Sequence, residues 1–196
     1  MKIIGLTGGV GSGKSTVAKL MGEHYRAHLL IADDIARDFM KKGNVSFHHI
    51  VDYFGVNILD EDGELDRKKL ASIVFEDESK LKILNSFIHP YVKEYILNEI
   101  ERLKKVEPNA VVLVESAILF EVSYQEFCDE VWYVNAEDHI RRIRLKKNRN
   151  YTDEKIDSIL ANQMTEEEYK KRSTHVISNN DKEENLIKEL QFLLVK

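Results

Sequence analysis

The chain has 196 residues, 43% of them apolar, enough for one core-bearing domain with room for an inserted subdomain. Its 29 basic and 34 acidic side chains leave a net charge of −5, which argues against a nucleic-acid-binding surface as the main function. One cysteine, Cys128, excludes an intrachain disulfide, and no apolar run reaches the length of a membrane span. With its first residues spent on a core strand and no room for a signal peptide, the chain reads as soluble and cytoplasmic, with no membrane or nucleic-acid partner.

Lys2-Ile3-Ile4-Gly5-Leu6-Thr7 predicts a short buried strand. It runs into Gly8-Gly9-Val10-Gly11-Ser12-Gly13-Lys14-Ser15-Thr16, which fits the pattern G-x-x-x-x-G-K-S/T. A helix follows to about Tyr25. Strand, glycine loop and helix are the context in which this pattern cradles phosphates. A second strand is expected at His28 to Ala32, ending in Asp33-Asp34, with a helix from Ile35 to Met40. Phe47, Ile50, Val51 and Phe54 recur at helical spacing. Asp66 reads as the N-cap of a helix to Phe75, and a break is expected at Glu76-Asp77-Glu78. Helix is expected again from Ser79 to about Lys105, broken near His89 by Pro90. The strand-free block of residues 60–105 reads as a helical insertion.

Ala110 to Glu115 is a continuous apolar run, as suits a strand buried on both faces. Glu130 to Val134 predicts the next strand, and Glu137 to Lys147 a basic helix. Thr152 is the expected N-cap of a further helix, and Thr165 is expected to begin another, short one. His175 to Ser178 predicts a fifth strand, and Asp181 to Lys196 a closing helix. Alternating strands and helices predict an α/β fold, a five-stranded parallel sheet with helices on both faces.

In such a sheet ligands bind beyond the carboxyl ends of the strands. Gly9, Gly11, Ser12, Gly13, Lys14, Ser15 and Thr16 are therefore the candidate nucleotide-phosphate site. Lys14 would reach the β- and γ-phosphates of the nucleotide, and the Ser15 hydroxyl would ligate Mg²⁺. Asp33 is the candidate base for an attacking hydroxyl, and Asp34 a solvated helix cap. Glu115, an acid closing an apolar strand, suits the magnesium shell or a substrate contact. Arg141 and Arg144 share a helix face. Arg144 is the candidate for neutralising the transferring group, with Arg149 second, in the loop before Thr152. His89 reads as a residue packed at a helix break or as a substrate contact. No cluster has the spacing of a protein-only metal site. Cys128 reads as a buried small hydrophobe and Trp132 as core.

Residues 4–16 resemble the opening of dephospho-coenzyme A kinases. The resemblance continues through Ala32-Asp33, Ile35-Ala36-Arg37, Gly63 to Arg67, His89-Pro90, Glu115 to Glu121, Gln163 and Val176 to Asn180. It implies a P-loop kinase fold with three α/β/α layers, a helical substrate-binding insertion at 60–105 and a lid at 138–165. It implies ATP-dependent phosphorylation of the ribose 3′-hydroxyl of dephospho-CoA, the last step of coenzyme A synthesis. The chain is expected to act as a monomer or weak homo-oligomer. The residue matching Asp33 is the family's proposed base, Arg144 falls in the lid, and Asn179 lies near the adenine. The pattern departs at Ile31, where the family often has an acid, at Ala117 in place of a proline, and at Asn148, with an arginine one residue later. The rivals are another small-molecule or nucleoside monophosphate kinase, and a nucleotide switch that transfers nothing. The chain lacks the Asn/Thr-Lys-x-Asp signature expected of a GTP-dependent switch.

Overall fold

The computed structural model describes residues 1–75 and 77–194. Glu76, in the expected break, and Val195 and Lys196, at the end of the expected closing helix, lie outside the described residues. The elements begin with β1 (Lys2–Thr7), α1 (Lys14–Tyr25), β2 (His28–Ile31), α2 (Ala32–Phe39) and α3 (Val45–Phe54). Then come α4 (Arg67–Phe75), α5 (Glu78–Ser86), α6 (His89–Val106), β3 (Val111–Glu115) and β4 (Glu130–Asn135). The last are α7 (Asp138–Arg149), α8 (Asp153–Ala161), α9 (Glu166–Arg172), β5 (His175–Ser178) and α10 (Glu183–Leu194). The chain forms two compact units, one of residues 1–30 and 103–196 and one of residues 31–102.

The first unit is built on a five-stranded sheet of order β2-β3-β1-β4-β5 among the described residues. Its central strands are parallel, as expected. Ile4, Leu6, Val112, Leu113, Val114 and Trp132 are fully buried, which is why these runs carry no alternating polar face. The register sets Leu6 opposite Glu115 and Thr7 opposite Tyr133. The carboxyl ends of β1, β3 and β4 are therefore level. The chain leaves β1 towards β2 and leaves β4 towards β5, so these neighbours diverge. That divergence marks the switch point where α/β sheets bind ligands.

The second unit is helical. Asp66 caps α4 as expected: its Oδ1 accepts from the N–H groups of Lys68 at 3.0 Å and Lys69 at 3.1 Å. Asp77 does the same for α5, accepting from Ser79 and Lys80. Pro90 is the second residue of α6, where its missing N–H has no helical acceptor to lose. The expected break falls at Phe87-Ile88, just before His89. A 3₁₀ turn at Val56–Ile58 and a Leu59–Leu65 bridge were not expected. They hold a loop in which Asp60 Oδ1 accepts from the N–H groups of Asp62 and Glu64.

Two boundaries need correction. The second strand stops at Ile31, and Ala32 opens α2, so Asp33 and Asp34 stand in its first turn. Carboxylates there favour the helix N-terminus without capping it, and Ile31 holds the N-cap position. Asp34 is not a cap; it pairs with Arg37 at 2.7 Å. Second, α7 runs to Arg149, which is helical and not in a loop, and Asn150 in the left-handed region ends it.

Candidate active site

The loop after β1 lies at the switch point and turns into α1 through Gly13, whose φ of 95° suits glycine. A Cβ at Gly13 would also collide with Asn179 Nδ2. Lys14 folds back over the loop and donates from Nζ to the Gly8 carbonyl at 2.7 Å. Its Nζ lies 3.9 Å from Oε1 of Glu115, which is buried at the end of β3. The expected Lys14 and Glu115 are thus brought together. Ser15 is exposed in the first turn of α1, and Thr16 donates its N–H to the Gly13 carbonyl.

The other side of the loop meets α7. Arg144 donates from Nη1 to the Ser12 carbonyl at 3.2 Å and from Nη2 to the Asn179 carbonyl at 2.9 Å. Arg141 donates from Nε to the Val10 carbonyl at 2.9 Å. Asn179, buried after β5, donates from Nδ2 to the Ser12 carbonyl at 2.8 Å. The Gly8, Val10 and Ser12 carbonyls thus each face a cation. Among the described residues, no carboxylate lies within ion-pair distance of Arg141 or Arg144. Partial burial pushes the Arg144 pKa below the ordinary guanidinium value. Among the described residues its hydrogen-bond partners are backbone carbonyls.

A sequence profile of the dephospho-CoA kinase family matches residues 2–185. A dephospho-CoA kinase of Bacillus cereus is 40% identical over 177 residues, covering 90% of this chain and 88% of the relative. The chain belongs to the dephospho-CoA kinase family. The crystal structure of a Thermus thermophilus protein superposes with a TM-score of 0.84 at 31% identity, covering 99% of this chain and 96% of that one. The dephospho-CoA kinase from Campylobacter jejuni shares the fold, with a TM-score of 0.73 at 24% identity, covering 100% of this chain and 96% of that one.

Other family positions fall as follows. Asp33 is exposed in the first turn of α2, in the helical unit. His89 opens α6, and burial pushes its pKa down. Arg149 lies with Cζ 6.0 Å from the Tyr151 ring centroid. Cys128 is partly buried, and burial pushes its thiol up to about 12, which suits the small-hydrophobe reading. Trp132 is core, as expected. Asn179 braces the loop through its side chain, a contact not anticipated from the sequence. Gln163, given a place in the family resemblance but no role, accepts at Oε1 from the Val10 N–H at 3.1 Å. The family pattern marks that glutamine; nothing in local spacing does.

Proposed function

We propose that this chain transfers the γ-phosphoryl group of ATP to the ribose 3′-hydroxyl of dephospho-CoA, giving CoA and ADP. The observation that carries the reading is a phosphate loop ringed by Lys14 and Arg144, in a chain whose family match spans nearly its whole length. In this reading the 3′-oxygen attacks the γ-phosphorus as the bond to the β–γ bridging oxygen breaks. Asp33 takes the hydroxyl proton. Lys14, moving off the Gly8 carbonyl, and the loop N–H groups take up charge on the β- and γ-phosphates. Arg144 neutralises charge that develops on the transferring group, where its effect is largest. Gly9, Gly11, Ser12, Gly13 and Thr16 complete the phosphate cradle.

The donors fit magnesium. Ser15 offers an exposed hydroxyl and Glu115 a carboxylate, both hard oxygen ligands. Among the described residues no group of three His, Cys, Asp or Glu side chains could hold a metal ion. Ser15 and Glu115 would hold Mg²⁺, which would supply neutralisation of phosphate charge. The block of residues 60–105, with His89, takes the pantetheine-bearing substrate. Residues 138–165 act as a lid, and the segment at Asn179-Asn180 lies near the adenine. The enzyme works as a cytoplasmic monomer or weak homo-oligomer; among the described residues no helix is long and apolar enough to cross a membrane.

The test is an ADP-release assay with dephospho-CoA beside a panel of nucleoside monophosphates and small alcohols. Turnover confined to dephospho-CoA is expected. Preference for another acceptor would favour a sister kinase, and nucleotide binding without transfer to any acceptor would favour a switch.

A further inference from the structure

Val10 has both of its backbone groups held by side chains distant in sequence. Its N–H donates to Gln163 Oε1 at 3.1 Å, and its carbonyl accepts from Arg141 Nε at 2.9 Å. Arg141 Nη2 donates to the same Gln163 oxygen at 2.9 Å. The three residues close a ring of hydrogen bonds. Gly9 permits it: a Cβ there would come within 2.8 Å of Arg141 Cζ and 2.9 Å of Gln163 Oε1.

We infer that Arg141 and Gln163 are positioning residues, which fix Val10 and thereby the loop amides that receive the nucleotide phosphates. The inference rests on the reading of this loop as the ATP site. A loop with glycines at positions 8, 9, 11 and 13 has large backbone freedom. Only preorganised donors stabilise developing charge without first paying for reorganisation. The ring supplies that order from outside the loop. Arg141 is anchored on α7, where its N–H bonds the Glu137 carbonyl, and Gln163 just beyond α8, where its N–H bonds the Leu160 carbonyl. Both bonds to Gln163 end on one oxygen, so the side chain serves as an acceptor. Glutamate can do the same; methionine, of similar length, cannot.

Gln163→Met and Gln163→Glu, made in the full chain, test this in two arms. In the nucleotide-free protein, Val10 amide exchange should quicken about tenfold in the Met variant, the effect of one lost hydrogen bond. The KM for ATP should rise by a similar factor, while that for dephospho-CoA stays within about twofold. The Glu variant should restore both readouts to within about threefold of the parent. Arg141→Lys keeps the charge, breaks the ring and should raise the KM for ATP in the same way. An unchanged Val10 exchange rate or ATP KM in Gln163→Met, a Glu variant as impaired as the Met variant, or an unaffected Arg141→Lys would each overturn the inference. A parent protein inert towards dephospho-CoA would instead overturn the proposed reaction, and the exchange arm would still decide the ring.

Discussion

The two faces of α7 carry the same kind of side chain and treat it in opposite ways. On the outer face Arg142 donates from Nε to Asp138 at 2.6 Å and from Nη2 to Asp157 at 2.5 Å, with Asp153 at 3.6 Å from Nη1. Lys146, one turn on, pairs with Asp153 at 2.8 Å. On the inner face Arg141 and Arg144 meet backbone carbonyls of the phosphate loop and, among the described residues, no carboxylate. Outer charge is cancelled by aspartates at the protein surface, where ion pairs contribute little to stability. Inner charge has no carboxylate at ion-pair distance among the described residues, although Arg141 lies within electrostatic reach of Glu166. A count of basic residues cannot separate the two faces; the positions of the carboxylates do. The same contrast recurs on α2, where Asp34 is tied to Arg37 and Asp33 has no ion-pair partner within the helical unit among the described residues.

The largest effect should come from removing the loop's own cation. Lys14→Ala should abolish detectable transfer in a folded protein, as checked by turnover and circular dichroism. Near-normal turnover would overturn the phosphate-loop assignment on which the inner face depends. Next, Asp33→Asn should lower turnover by about 10²–10⁴, the usual worth of a general base, with dephospho-CoA binding kept within a few-fold. Asp34→Asn should stay within about twofold, because that carboxylate's surface ion pair contributes little. If Asp34→Asn is the inactive variant, the base is misassigned and Glu115 becomes the candidate. Hydrogen exchange should show protection within residues 60–105 when dephospho-CoA binds; protection confined to residues 8–16 and 175–181 would contradict that role. Arg149→Ala should have a small effect, within about twofold in turnover, because surface cation–π contacts of the kind it makes with Tyr151 are weak.

Local signals carried much of this structure. The phosphate loop announces itself because glycine, lysine and serine are needed at fixed offsets within nine residues. The N-caps Asp66 and Thr152 are legible because a cap acts over three residues. Thr165, expected to begin a helix, is the N-cap of α9 and closes a full capping box with Glu168. The buried strands show as unbroken apolar runs. The start of α2 was misread because Ile31-Ala32 continues an apolar strand pattern while the helix-favouring charges come one residue later. Contacts across the chain left no local trace. Gln163 lies 153 residues from Val10, and Asn179 lies 167 residues from Ser12. Arg141 could be placed on the same face as Arg144, but its periodicity did not tell which way that face turns.

The central claim is that Arg144, on the inner face of α7, serves the transferring phosphoryl group and that Arg142, on the outer face, serves only the surface. Arg144→Ala and Arg142→Ala, assayed side by side for kcat and for the KM of ATP, test it most directly. The account predicts that Arg144→Ala lowers kcat by about 10²–10³, as loss of a transition-state donor does, with a far smaller rise in KM. It predicts that Arg142→Ala leaves both constants within about twofold, because its charge is already cancelled by aspartates at the surface. Equal losses from the two variants, or an Arg144→Ala variant in which only the KM moves, would contradict it.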